Sequence, residues 1–177
     1  GILSMYCYQQ SHRGGEITVS SVQMIHDEIK RINNKLLEQL YQPFYFDIKD
    51  NQLPGNKPYN FTPIFQIKND KILCRYSNLA IIHAQEHFTD IPRLTKLQMD
   101  ALALMKSIAH REDIMYKYKL KNGDMVFINN NNLLHGRVEF EDIETNEKRR
   151  LFRIWLYCND IMTQGHSFGY PDTENNA

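Results

Sequence analysis

Short apolar runs separated by turn residues dominate the chain and predict a mainly β protein. Residues 2–9 have the apolar and β-branched or aromatic character of a strand. Gly14 and Gly15 then supply a turn, and the β-branched residues that follow resume an extended segment. Residues 44–76 form short apolar runs divided by turn clusters, which predict strands and loops. Further strands are predicted at residues 114–120, 125–128, 133–140 and 149–158.

Two segments instead carry apolar residues at helical spacing. Ser20 and Ser21 are candidate N-caps of a helix predicted to about residue 40, with a break at Asn33 and Asn34. The second helix begins with a capping box, in which Thr95 is followed three residues later by Gln98. The residues expected on the buried faces are Ile25, Ile29 and Ile32 in the first helix, and Leu97, Ala101, Leu104, Met105 and Ile108 in the second.

Composition favours one globular domain, predicted at residues 1–160, followed by a tail at residues 161–177. The 177 residues are 42% hydrophobic, and 21 Lys and Arg balance 21 Asp and Glu. The absence of net basic charge argues against nucleic acid or an anionic membrane as partner, so a small molecule is expected. The three widely spaced cysteines, Cys7, Cys74 and Cys158, predict reduced thiols in a cytoplasmic protein.

The strand predicted at residues 149–158 carries an unusual pair of charges. Because alternate residues of a strand share a face, Arg149, Leu151, Arg153 and Trp155 point the same way. Burying arginines among apolar groups is costly without an anion, and the guanidinium fork matches a carboxylate. A carboxylate ligand is therefore one explanation of the pattern.

Two plainer explanations stand beside it. The arginines could pair across a hairpin with nearby acidic residues, which are Glu139, Glu141, Glu144 and Glu147. His135, in the preceding apolar strand, could be a hydrogen-bonded histidine of the core or rim rather than a metal ligand. Spacing alone leaves these alternatives open.

Several motifs together resemble the C-terminal part of the taurine dioxygenase (TauD/TfdA) family, over about residues 2–158. The main ones are Gly-Asp-Met-Val-Phe-Ile-Asn-Asn from Gly123, Leu-Leu-His-Gly-Arg ending at Arg137, Phe-Glu-Asp ending at Asp142, and Arg-Arg-Leu-Phe-Arg-Ile-Trp-Leu from Arg149. Gly14-Gly15-Glu16, Pro63-Ile64-Phe65, Arg75-Tyr76 and the helix from Leu97 occur in the order that this family shows.

The resemblance implies a fold, two cofactors and three site residues. The fold is a double-stranded β-helix (jelly roll), mainly β with flanking helices, and the activity is iron(II)- and 2-oxoglutarate-dependent oxygenation of a small molecule. His135 matches the distal iron-ligand histidine, and Arg149 matches the arginine that holds 2-oxoglutarate. Arg153 matches a second arginine that faces co-substrate or substrate, while Arg137 is a further candidate for a substrate anion.

The resemblance also implies features that this sequence does not contain. A His-x-Asp or His-x-Glu pair should complete the iron site, and the family pattern puts it just upstream of Gly1, together with N-terminal strands. His26 and His110 begin similar triplets, but both fall in or at the end of predicted helices, where residues two apart diverge by about 200°. Where the family often has a hydroxyl residue after the acidic residue of the glycine motif, this chain has Ile17, with Thr18 next.

Two rival functions remain. His83-Ala-Gln-Glu86-His87 fits the short His-x-x-Glu-His pattern of zinc peptidases, but that chemistry requires a helix, and the flanking residues resemble strand or loop. Alternatively, the chain is a jelly-roll binding module without catalysis. A metal pair upstream of Gly1 would favour the oxygenase over such a module.

Overall fold

The computed structural model describes residues 1–49, 55–142 and 148–156. The strands are β1 (Ile2–Gln9), β2 (Arg13–Gly14), β3 (Ile17–Ser21), β4 (Pro43–Asp47), β5 (Tyr59–Pro63), β6 (Phe65–Lys68), β7 (Lys71–Cys74), β8 (Met115–Tyr118), β9 (Met125–Asn129), β10 (Leu133–Arg137), β11 (Phe140–Glu141) and β12 (Arg150–Leu156). The helices are α1 (Val22–Ile32), α2 (Asn34–Leu40), α3 (Asn78–His87) and α4 (Lys96–Ala109).

Two three-stranded antiparallel sheets carry His135 and Arg153, and Arg149 lies directly before β12. In the first, β1 lies between β12 and β9, so that Met5 is opposite both Arg153 and Val126. In the second, β3 lies between β10 and β8, and Val19 is opposite His135. Strand order therefore brings the C-terminal strands beside strands from the beginning of the chain.

The two sheets meet in a small apolar cluster. Cys7 of β1 and Ile17 of β3 are buried together with Leu120, and Met5, Val126 and Leu151 pack against them. Because this cluster joins side chains from both sheets, the inner face of β12 is turned toward the second sheet. The predicted mainly β fold is confirmed.

A larger core lies between the helices and the strands β4 to β7. Ile25 and Ile29 of α1, Leu40 of α2 and Met105 of α4 are buried together, and they meet Phe46 of β4. Removing that many apolar side chains from water is the main favourable contribution to folding. This helical layer is connected to the second sheet at Ser21, where the central strand β3 ends and α1 begins.

The predicted helix boundaries follow from side-chain caps. The Ser21 hydroxyl accepts from Met24 N, and the Asn33 side chain accepts from Leu36 N, so Asn33 ends α1 and begins α2. The Thr95 and Gln98 capping box at the start of α4 is present in both directions. Ile32 and Leu97 are exceptions on the predicted faces, because they are 47% and 42% exposed.

Two local predictions were wrong. Residues 78–87 form α3 rather than the strand or loop expected there, and the Ser77 side chain caps it by accepting from Ala80 N. The strand predicted over residues 133–140 ends at Arg137, because Val138 N turns to donate to Glu16 O before β11 begins. The turn near residues 144–147, Cys158 and the tail at 161–177 lie outside the described residues. No helix in the described ranges is long and apolar enough to cross a membrane.

Candidate active site

His135 lies on the wall of a cavity of about 910 Å³. Surrounding protein atoms remove water from the imidazole, which disfavours its charged form and lowers the pKa of His135. The positive charge of Arg153 lowers this pKa further. The lowered pKa favours the neutral imidazole, which is the form that binds a metal ion.

Contacts before and within β10 hold the strand that carries His135. Before it, Asn129 forms a turn in which its side chain accepts from Asn131 N at 3.1 Å, and Asn132 O then accepts from Val22 N at 3.0 Å. Within β10, Gly136 is opposite Thr18, and an added Cβ would lie 2.9 Å from the Thr18 hydroxyl oxygen. A glycine at this position allows β10 and β3 to approach, which orients the imidazole beside the cavity.

Arg153 lies on β12 and lines the same cavity as His135. The positive charge of Arg153 is the second cause, after burial, of the lowered pKa of His135. Arg153 is also exposed to the cavity, so its guanidinium is accessible to a ligand. The structure thus brings together two of the three predicted site residues.

Arg149, four residues before Arg153, forms hydrogen bonds to residues near the start of the chain. Its Nε donates to Gln10 Oε1 at 3.1 Å, and its Nη2 donates to Gly15 O at 3.4 Å. Burial and the positive charge of Arg137 lower the pKa of Arg149. Arg149 is not among the described residues that line the cavity.

A second basic side chain connects Arg149 to the strand of His135. The guanidinium carbons of Arg137 and Arg149 lie 4.5 and 5.0 Å from the centroid of the Phe140 ring. Arg137 follows His135 by two residues on β10 and therefore shares its face. Two like charges beside one ring repel each other, which favours an anion between them.

The alternative in which glutamates pair with these arginines finds no support in the described ranges. The ion pairs there involve neither Arg137, Arg149 nor Arg153. Asp142 does contact Arg149, but its carboxylate accepts from the backbone N of Arg149, which leaves the guanidinium to other partners. Glu144 and Glu147 lie outside the described residues.

His26 and His110, the histidines that begin His-x-Asp/Glu triplets, form hydrogen bonds within the protein. His26 is buried, with Nδ1 3.0 Å from Asp27 Oδ1 and Nε2 2.9 Å from the Tyr41 hydroxyl. His110 lies at the end of α4, and its Nδ1 is 2.7 Å from Lys106 O. Both contacts account for these side chains without a metal.

The zinc-peptidase motif does lie on a helix, contrary to the expectation from its flanks. The His83 and His87 rings are 5.4 Å apart on α3, and His87 Nδ1 is 3.6 Å from Asp47 Oδ2. Nevertheless, within the described ranges no group of three His, Cys, Asp or Glu side chains could hold a metal ion. An iron(II) site of two histidines and a carboxylate would therefore draw His135 from this part of the chain and its other ligands from elsewhere.

The structure adds Arg75 and Thr18 to the cavity wall. Arg75 directly follows the buried end of β7, which is the same signal, a cation beside an apolar strand, that identified the arginines of β12. Thr18 is the hydroxyl residue that follows Ile17, and Ile17 itself is buried in the core between the sheets.

Comparison with known proteins identifies the family to which this chain belongs. The family model described as "Taurine catabolism dioxygenase TauD, TfdA family" matches residues 1–155. FR-33289 synthase from Streptomyces rubellomurinus is 29% identical over 160 residues, which cover 88% of this chain and 46% of that protein.

Solved structures share the fold at lower identity. Asparagine oxygenase, in complex with Fe(II), 2S,3S-3-hydroxyasparagine and succinate, has a TM-score of 0.65 at 14% identity. The match covers 86% of this chain and 44% of that one. The non-heme iron oxygenase OrfP, in complex with Fe and alpha-ketoglutaric acid, has a TM-score of 0.58 at 16% identity, covering 86% and 43%.

The chain thus spans about half the length of the relatives it matches. The family match nonetheless covers almost all of the described residues, including His135, Arg149 and Arg153. The chain belongs to the TauD/TfdA family of dioxygenases.

Proposed function

We propose that the protein is an iron(II)- and 2-oxoglutarate-dependent oxygenase that hydroxylates a small molecule. The observation that carries the proposal is the placement of His135 and Arg153 on one cavity wall, in a chain of the TauD/TfdA family. Iron(II) with 2-oxoglutarate and oxygen supplies oxidative decarboxylation to succinate and carbon dioxide, coupled to oxidation of an unactivated carbon.

In this proposal, His135, Arg149 and Arg153 have separate roles. His135 supplies one neutral imidazole ligand to iron, and two further ligands come from outside the described residues. Arg149 holds the distal carboxylate of 2-oxoglutarate, because Gln10 and Gly15 fix one side of its guanidinium and leave the remaining N–H groups for a carboxylate. Arg153 faces the cavity and contacts co-substrate or substrate.

The test is succinate formation from 2-oxoglutarate by the protein at its natural length. The wild type should require added iron(II) and oxygen, and His135→Ala should abolish the iron-dependent rate. His110→Ala is the matched control, because His110 lines the same cavity and is held by a backbone contact. Loss of activity in both variants, or in neither, would contradict the assignment of His135.

A non-catalytic binding module is the second candidate. It is favoured by one observation, that the described residues contain no complete group of metal ligands. This candidate predicts that 2-oxoglutarate or another small anion binds equally well with and without iron(II), and that no succinate forms. Iron-dependent 2-oxoglutarate binding together with succinate formation excludes it.

A further inference from the structure

The ring of Phe140 lies beside the guanidinium of Arg149. The guanidinium carbon of Arg149 is 5.0 Å from the ring centroid, and that of Arg137 is 4.5 Å from it. A cation within about 6 Å of an aromatic ring is attracted by the negative face of the ring. This attraction restrains a guanidinium without using any of its N–H groups, so the donors that Gln10 and Gly15 leave open stay open for a ligand.

The two hydrogen bonds of the Arg149 side chain leave one movement of its guanidinium unrestrained. Nε donates to Gln10, and Nη2 donates to Gly15. A group that is held at two points can still tilt about the line that joins them, and a tilt redirects the remaining N–H groups of the planar fork. A third contact opposes this movement, and the ring of Phe140 provides it.

Phe140 is held by the same turn that holds Arg149. Strand β11 pairs with β2, and Phe140 is opposite Gly14. Gly14 has a φ of +64°, and a Cβ there would overlap Glu139 O and lie 3.1 Å from Phe140 Cα, so glycine is required for this approach. Gly15 N donates to Glu139 O at 3.2 Å, and Gly15 O accepts from Arg149 Nη2. The ring and the guanidinium are therefore both attached to the turn at Gly14 and Gly15.

The charge of Arg137 makes the contact with the ring more important. After burial, this charge is the next cause of the lowered pKa of Arg149. The ion pairs in the described ranges place no carboxylate against either guanidinium. Phe140 attracts both cations and so opposes the repulsion that would separate them.

We propose that Phe140 is a positioning residue, whose ring holds the Arg149 guanidinium in the orientation that binds the distal carboxylate of 2-oxoglutarate. The inference rests on the proposed function. Because Phe140 acts through Arg149, its loss should weaken the binding of 2-oxoglutarate without slowing turnover at saturating co-substrate. A ring that only packs within the fold would affect stability alone.

The test replaces Phe140 in the protein at its natural length and titrates 2-oxoglutarate calorimetrically into the manganese(II)-loaded protein. Phe140→Leu keeps an apolar side chain but loses the ring, and it should weaken 2-oxoglutarate binding about three- to tenfold. Phe140→Tyr keeps the ring and should bind within about twofold of the wild type. In succinate assays, Phe140→Leu should raise the apparent Michaelis constant for 2-oxoglutarate and leave the turnover number unchanged.

Tyr8→Leu is the matched control. The guanidinium carbon of Arg150 lies 5.5 Å from the centroid of the Tyr8 ring, so this change removes a similar pair whose cation binds no ligand in the proposed function. Tyr8 also contacts the ring of Phe152, so the control tests whether lost packing alone weakens binding. It should keep wild-type affinity for 2-oxoglutarate even where its melting temperature falls.

The outcomes separate the inference from the proposed function. If Phe140→Leu binds 2-oxoglutarate normally, or if Phe140→Tyr or Tyr8→Leu loses as much affinity as Phe140→Leu, the inference is refuted and the proposed function stands. If Phe140→Leu does not fold, Phe140→Met replaces it with the same expected loss, and failure of both to fold makes Phe140 a residue of the fold and refutes the inference. If 2-oxoglutarate does not bind the manganese-loaded wild type, the proposed function itself fails, and the inference fails with it.

Discussion

Replacing Arg149 with lysine separates co-substrate binding from structural support. In the structure, the Arg149 guanidinium donates through Nε to Gln10 and through Nη2 to Gly15. These contacts use two of its five N–H donors and leave three for a carboxylate. Lysine keeps the charge, but its three donors diverge from one nitrogen and cannot satisfy Gln10, Gly15 and two carboxylate oxygens together.

The expected effect is the loss of one charge-assisted hydrogen bond to 2-oxoglutarate. Such a bond contributes about 1 to 2 kcal/mol more than a lysine contact that lacks the fork, which corresponds to roughly a tenfold rise in the apparent Michaelis constant. The assay is the initial rate of succinate formation against 2-oxoglutarate concentration, with melting temperatures measured on the same preparations.

Arg150→Lys is the matched control for this change. Arg150 is the next residue in the chain, it is exposed, and its guanidinium carbon lies 5.5 Å from the centroid of the Tyr8 ring. The control should leave the Michaelis constant unchanged. If Arg149→Lys only lowers the melting temperature, Arg149 is a structural brace. If Arg153→Lys instead loses 2-oxoglutarate dependence, the roles of the two arginines must be exchanged.

Three other changes test the electrostatics and packing of the site and the helical layer. Gly15→Ala should weaken 2-oxoglutarate binding in titrations and lower the melting temperature, because at a φ of +77° an added Cβ would lie 2.4 Å from Ser11 Oγ and 3.0 Å from Arg149 Nε; normal affinity would contradict this. Arg153→Gln should raise the pKa of His135 in NMR titrations, because it removes a positive charge that lowers it, and an unchanged pKa would refute their proximity. Arginine hydrogen bonds lower the pKa of Glu28 to about 2, so they stabilise the fold above the unfolded pKa near 4.5, and that stability is lost as pH falls toward 2. Glu28→Gln should flatten this part of the melting-temperature profile, and an identical acid profile would show that these bonds do not stabilise the fold.

Local signals in the sequence were sufficient where one side chain decides the backbone conformation. Asn33 ends α1 and begins α2 because its side chain caps the first turn of α2. Thr95 and Gln98 begin α4 by capping its first turn. These interactions lie within a few residues of each other, so spacing alone reveals them.

The failure at α3 has a physical explanation. Residues 79–82 are a short apolar run, and such a run fits a buried strand as well as a buried helix, because neither period is visible. The signal that could have decided was Ser77, which caps the helix through Ala80 N. His83 and His87 are four residues apart, so a helix puts them on one face. Their proximity could not be expected without predicting α3.

The candidate site was predictable in composition but not in arrangement. Alternation along β12 placed Arg149 and Arg153 on one face, yet β12 begins at Arg150, and the pairing with β1 is irregular between Cys7 and Gln9. Arg149 therefore contacts Gln10 and Gly15, whereas Arg153 reaches the cavity. The sequence offers a local signal for Arg75, a cation directly after the apolar strand β7, but its place on the cavity wall depends on contacts between distant segments.

The most direct test of the account is whether His135 binds iron. Iron(II) and 2-oxoglutarate are added without oxygen to the protein at its natural length, and the visible charge-transfer absorption of the bound chelate is recorded during iron titration. If His135 is an iron ligand, a saturable band should appear in the wild type and in His110→Ala and should be lost in His135→Ala. A band of wild-type intensity and iron affinity in His135→Ala would contradict the central claim.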